Sequence, residues 1–134
     1  MKGRKPKAGP PQDKAAIETV PRAPAWMSKD AKAEWRRIMP LLVERRILTE
    51  ADMGSVENYC LAIGSARQAD KELQATGYTY AGPNGDIKRN PASLVLKDAM
   101  QTSRQLAAEL GLTPVSRSRP SIRDDADSDD DLLG

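Results

Sequence analysis

The sequence has no histidine and no phenylalanine, and only one cysteine, two tryptophans and three tyrosines in 134 residues. Without histidine the chain lacks the commonest general base, the usual partner in a catalytic triad and the commonest zinc ligand. The lone Cys60 cannot close an intrachain disulfide, and no metal-ligand spacing surrounds it. No run of about 18 apolar residues exists to span a bilayer, and no apolar stretch follows the basic start as it would in a secretory signal. Residence in the cytosol is therefore expected, with no membrane partner. Neither G-x-x-x-x-G-K-[ST] nor G-x-G-x-x-G occurs. The turn Gly82-Pro83-Asn84-Gly85 is too short for a phosphate loop and has no lysine where one would be needed. The one cluster of carboxylates is an aspartate tail, which lacks the glycine turn and distant glutamate of a calcium loop. The expectation is a protein that is not an enzyme and takes no cofactor and no metal.

Aromatics at 4% mean that leucine, isoleucine, valine, methionine and alanine must build the core. Such a core is thin for a small domain, which buries a smaller share of its surface than a large one. Burying apolar helix faces against identical copies is one remedy.

The net charge of +2 conceals an uneven distribution. The head, 1–25, carries Lys2, Arg4, Lys5, Lys7, Lys14 and Arg22 against Asp13 and Glu18. The middle, 26–116, is close to neutral. From residue 117 the chain has Arg117, Arg119 and Arg123, followed by Asp124, Asp125, Asp127, Asp129, Asp130 and Asp131. Basic arms attract phosphate, whereas a block of aspartates is a solvated, self-repelling tail. The head is also rich in proline and glycine without apolar periodicity, so a disordered basic arm is expected over 1–25. A disordered tail, basic and then acidic, is expected over 117–134, ending in Leu132 and Leu133.

Between these ends the pattern is helical. Ser28 suits an N-cap, with Asp30 favourable in the first turn. Ala31, Trp35, Ile38 and Leu42 then form one apolar stripe, and Pro40 inside it should kink or split the helix near Met39. Arg36, Arg37, Arg45 and Arg46 lie largely off the stripe. They suit a solvated face paired with Glu34 and Glu44 better than phosphate contact. Thr49 and Asp52 approximate a capping box before a helix that can run to Thr76. Gly64 within it marks a close helix contact more often than a hinge, and Gly77 supplies the left-handed stop. Tyr78-Thr79-Tyr80 and Asp86-Ile87-Lys88 flank a glycine turn and read as a hairpin. Lys88 and Arg89 beside the tyrosines suit nucleic-acid contact and packing between subunits equally. Asn90-Pro91 starts a third helix, in which Leu96, Ala99, Ser103, Leu106 and Leu110 make a short seam for another helix. Gly111 and Pro114 end it. The fold class expected is mainly α: a helical hairpin plus a C-terminal helix, with a short β-hairpin-like insertion. A helix-turn-helix around Ile47-Leu48-Thr49 is a weak reading. The second helix is too long for a compact recognition helix, and Glu50 and Asp52 would stand where DNA approaches.

From roughly residue 21 to 119 the chain resembles the P27-type small terminase subunits of tailed phages, including HK97-like members. The resemblance rests on the order of several pieces. Pro24 and Trp26-Met27-Ser28-Lys29-Asp30-Ala31 precede Trp35, and Leu48-Thr49-Glu50-Ala51-Asp52 precedes Tyr59-Cys60. Gly77-Tyr78, Gly85, Lys88, Asn90-Pro91, Leu110-Gly111-Leu112-Thr113-Pro114 and Arg117 follow. It implies a non-enzymatic subunit in the host cytoplasm that assembles into a ring-shaped homo-oligomer. Such a subunit would bind double-stranded viral DNA at the packaging start site and recruit or regulate the large terminase subunit, an ATPase and nuclease. From charge alone, the expected DNA contacts are Lys2, Arg4, Lys5, Lys7, Lys14, Arg22, Lys88 and Arg89. The expected oligomerisation residues are Trp35, Ile38, Leu42, Leu96, Leu106 and Leu110, with Leu132 and Leu133 docking on the large subunit. Competing classes are a small dimeric transcriptional regulator that reads a palindromic operator, and a structural virion protein that assembles without DNA.

Overall fold

Ser28 sets where the first helix begins. Its hydroxyl accepts the Ala31 backbone N–H at 3.2 Å, and α1 runs over Lys29–Glu44. The computed structural model describes residues 15–117. Of the two outcomes expected at Pro40, a split does not occur, because α1 runs through it. The missing N–H leaves the carbonyl of Arg36 without its helical partner, and both residues are exposed, on a side of the helix where a freed polar group is open to solvent. Arg46 follows the helix with φ 58°, the one non-glycine positive φ among the described residues.

The carboxylate of Asp52 accepts the Thr49 backbone N–H at 2.8 Å and the Thr49 hydroxyl at 3.0 Å. This Asp52 contact expected of a capping box forms despite the short aspartate. A single 3-10 turn, Glu50–Asp52, leads into α2, Met53–Thr76. Gly77 ends α2 at φ 89°, its N–H bonded to Leu73 O at 2.7 Å.

At Gly64 α2 comes close to α1. A Cβ added there would lie 3.1 Å from Ala31 N and 3.2 Å from Ala31 Cβ. The core grows from this contact: Ala31, Trp35, Ile38, Met39 and Leu42 of α1 meet Val56, Tyr59 and Cys60 of α2, closed by Met27 and Leu48.

Two short antiparallel strands, β1 Thr79–Ala81 and β2 Ile87–Arg89, pair Tyr80 with Lys88. They start one residue later than the sequence triplets suggest. Both strands are exposed throughout. Asn90 anchors their base: its Nδ2 donates to Thr76 Oγ1 (2.8 Å) and Gly77 O (3.0 Å), and its Oδ1 accepts the Ala92 N–H (3.0 Å). One buried side chain thus ties the end of α2 to the start of α3, Ala92–Glu109. Beyond α3, Gly111 (φ 72°) bonds back to Ala108 O, and Leu112 to Ala107 O. These are the two hydrogen bonds of a Schellman stop. Leu106, Ala107, Leu110 and Leu112 carry this end of α3 onto the α1–α2 core, and Arg45 Nη1 bonds Gly111 O at 2.6 Å. The middle helix, α2, contacts both α1 and α3.

The arm expected to be free through residue 25 is attached over its described part. Ile17 and Ala23 pack on the core, the Ile17 N–H bonds Leu48 O at 2.8 Å, and Trp35 Nε1 donates to Pro21 O at 2.8 Å. Apolar Ile17 and the Pro21 carbonyl supply contacts that a reading of charge and proline content overlooks.

Candidate nucleic-acid interface

A surface cation is available to a phosphate only if the chain's own acceptors have not claimed it. Several are claimed. Arg37 and Arg67 reach Glu34 at 2.6 and 3.5 Å, Lys71 reaches Asp30 at 3.3 Å, and Arg46 reaches Glu18 at 3.3 Å. Arg45 is taken by the Gly111 carbonyl. The expectation of a paired, solvated arginine face thus holds for Arg37 and, with a different acid, for Arg46. Arg36 has no ion pair among the described residues.

Arg36 stands with Lys32 and Arg22 around a hollow of about 440 Å³ whose remaining walls are Val20, Pro21, Ala23 and Trp35. No acidic side chain lines it. Lys32 and Arg36 are four apart on α1, a like-charge pair that destabilises an exposed helix by about 0.2–0.5 kcal/mol. Arg22 arrives from the preceding segment, held one residue away by the Trp35–Pro21 hydrogen bond. The hollow between α2 and α3 has a different character, for Asp98 and Glu109 line it with Leu61 and Val95.

The same helix, α1, also carries a buried carboxylate. Only 1% of the Glu34 side chain is exposed. Its oxygens accept the Tyr59 hydroxyl at 2.6 Å and two N–H groups of Arg37 at 2.8 and 2.6 Å. Burial raises the Glu34 pKa, but the bonds from Arg37 and Tyr59 and the charges of Arg37 and Arg67 outweigh it and hold the carboxyl below its ordinary value. Burial and the Glu34 bond push Tyr59 up to about 12, and burial, with Glu34 nearby, pushes the Cys60 thiol up to about 12. Ion pairing to Glu34 raises the Arg37 pKa, so its charge is permanent. With no unsatisfied buried side-chain polar atom among the described residues, this network fits a structural joint between α1 and α2.

Of the expected DNA contacts, Arg22, Lys88 and Arg89 are described and exposed. Arg22 belongs to the basic hollow, whereas Lys88 and Arg89 lie on β2, the Lys88 stem passing over Gly82. Lys2, Arg4, Lys5, Lys7 and Lys14 lie outside the described residues, as do Leu132 and Leu133. Of the expected oligomerisation residues, Trp35, Ile38 and Leu42 are enclosed within the single chain. With almost no exposed area, they hold the subunit together and leave nothing for a second copy to cover. Leu110 is buried as well, and Leu96 and Leu106 are half-buried. Open apolar side chains on α3 and the hairpin include Leu94 and Val95 at 50% exposure, Met100 at 58% and Ile87 at 79%, and Trp26, Leu41 and Val115 are exposed elsewhere on the subunit.

Two features escaped the sequence reading. Glu34 sits three residues after Ala31 and four before Ile38, so its place on the apolar stripe was a signal of burial. The meeting of Arg22 with Lys32 and Arg36 had no local signal, because the Trp35–Pro21 bond that makes it spans fourteen residues.

A family model described as phage terminase, small subunit, matches residues 31–127. No curated protein and no solved structure gives a match.

Proposed function

This chain belongs to the phage terminase small-subunit family, and from that premise, which gives it a role in phage DNA packaging, we propose that it is a P27-type, HK97-like member. In this reading it binds double-stranded viral DNA at the packaging start site, and it recruits and regulates the large-subunit ATPase–nuclease in the host cytoplasm. It performs no catalysis itself. The observation that carries the proposal is the family match across all three helices. Among the described residues no group of acidic side chains and cysteine could hold a metal, and no helix is long and apolar enough to cross a membrane.

The subunits assemble as a ring, with α3 and the hairpin as the interface. Leu94, Val95, Met100 and Ile87 support this, because open apolar side chains on one helix and an adjoining marginal hairpin favour a covering partner. The head residues Lys2, Arg4, Lys5, Lys7 and Lys14, with Lys88 and Arg89, add phosphate contacts from each copy, so weak contacts gain avidity. Leu132 and Leu133 are the contact to the large subunit. Sequence choice draws on DNA shape and bending, for which no base-reading helix is required.

The test is binding of the purified full chain to a duplex carrying the packaging start site and to an unrelated duplex of equal length, across a salt series. Large-subunit ATPase activity is measured in parallel. Tighter binding to the start-site duplex together with changed ATPase activity is the expected result. Equal binding to both duplexes and unaltered ATPase activity would overturn the reading.

A further inference from the structure

We propose that Arg22, Lys32 and Arg36 form a phosphate-binding clamp that grips the DNA backbone, with Trp35 as its positioning residue. The proposal rests on the DNA-binding reading above and assigns the contact to α1 and the segment before it. Three observations support it. The three cations share one hollow of about 440 Å³ with no acidic lining residue. None has an ion-pair partner among the described residues, whereas Arg37, Arg46, Arg67 and Lys71 each have one. Their convergence is also built: the Trp35 indole N–H holds Pro21 O at 2.8 Å and so fixes the residue before Arg22 against α1. Crowding three like charges without a counter-charge is unfavourable in the empty site, and a phosphate group relieves it with charge-assisted hydrogen bonds. Arg22 and Arg36 offer planar forks for phosphate oxygens, and Lys32 a point charge.

Phosphate contacts position a protein on DNA without reading bases. The clamp therefore predicts loss of affinity that is uniform across sequences. The experiment compares the full chain with Arg22→Ala, Lys32→Ala, Arg36→Ala and the triple variant by fluorescence anisotropy on duplex DNA over a salt series. All three side chains are exposed or half-buried, so folding should be retained, and circular dichroism checks it. The slope of log K against log salt should shrink by about 0.9 for each phosphate contact removed. In the triple variant that is a fall of about 2 to 3 per bound subunit, equal on start-site and unrelated duplexes. Lys88→Ala/Arg89→Ala is the comparison, and it leaves the clamp's share of the slope intact. In a Trp35→Phe background, which lacks the indole donor, replacing Arg22 should matter less than in the native chain. A purely structural Trp35 would leave the effect of Arg22→Ala unchanged.

A native chain that binds duplex DNA while the triple variant matches it in affinity and slope would overturn the clamp and leave the DNA-binding reading standing. A native chain that binds neither duplex would overturn the DNA-binding reading, and the DNA assignment of the clamp with it. Inorganic phosphate titrated against Trp35 fluorescence in a Trp26→Phe chain then separates the two failures. A change abolished by Lys32→Ala/Arg36→Ala would show a phosphate site serving another ligand, and no change would leave no site at all.

Discussion

The hydroxyl of Tyr59 on α2 donates to Oε2 of Glu34 on α1 at 2.6 Å, where both side chains are buried. Arg37 closes on the same carboxylate from the solvent side, so the charge is compensated on two flanks. Hydrogen bonds to a charged group contribute about 1.5–3 kcal/mol each, and a buried acceptor left short of donors loses more than the bond alone. Tyr59→Phe should therefore destabilise the fold by about 2 kcal/mol, measured by urea unfolding. A double-mutant cycle with Glu34→Gln should give a coupling of about 1–3 kcal/mol. Additive effects would mean that the two groups do not act together.

The same network sets the pH dependence. The Glu34 carboxyl titrates below its ordinary value of 4.5, so its contribution is present above that pH and is lost as pH falls through the lower folded value. Tyr59 titrates near 12 against an ordinary 10.0, so its contribution is complete below pH 10 and is lost as pH rises from there toward 12. Cys60, raised to about 12 from 9.0, adds loss over an overlapping alkaline window. Denaturation midpoints should form a plateau with two falling limbs. Glu34→Gln should flatten the acid limb and Tyr59→Phe the alkaline one. Unchanged limbs in both variants would count against this assignment.

Caps and stops were legible because they are local. Ser28, Asp52, Gly77 and Gly111 each act within a few residues of themselves, as does the Asn90 cap on Ala92, and each stands where its chemistry predicts. The Asn90 bonds to Thr76 and Gly77 reach further and had no local signal. The split at Pro40 did not follow, because α1 runs through it and the cost of the lost bond depends on which way the helix faces. The apolar stripe at Trp35, Ile38 and Leu42 was visible, but its partner was not. Periodicity tells that a face is buried and not whether the same chain or another copy buries it. The basic hollow depends on contact between segments distant in sequence, so charge counting found Arg22 without its companions.

Two glycines of α2 should respond oppositely to alanine. At Gly64 the new methyl would press on the Ala31 backbone nitrogen at 3.1 Å and on Ala31 Cβ at 3.2 Å, and a helix backbone cannot give way as a flexible side chain can. Overpacking costs typically about 1–3 kcal/mol, while alanine recovers about 1 kcal/mol of helix propensity. Gly64→Ala should be net destabilising by about 1 kcal/mol. At Gly54 a Cβ would meet nothing within 4 Å, so Gly54→Ala should stabilise by about 0.5 kcal/mol near the helix start. Thermal melts of the two variants decide it, and equal shifts in one direction would contradict the close approach at Gly64.

Assembly gives the last prediction, and it turns on the difference between exposure in one chain and exposure in a ring. Val95 and Met100 are half open or more in the single subunit. In an isolated chain, Val95→Glu and Met100→Glu should change stability by no more than about 0.5 kcal/mol. If a second copy covers α3, the same carboxylates would be buried without partners, at a cost of several kcal/mol per interface, repeated at every contact of the ring. Light scattering in moderate salt should therefore show a many-subunit native species and a smaller species for the double variant, with helix content retained. Ile38→Ala offers the contrast: it opens a cavity inside the subunit and should lower the melting temperature through a loss of about 2–5 kcal/mol. A native mass that survives both glutamates would move the interface off α3. A native dimer would favour an operator-binding regulator over a ring, and a native monomer would leave the exposed apolar side chains of α3 without a self-partner.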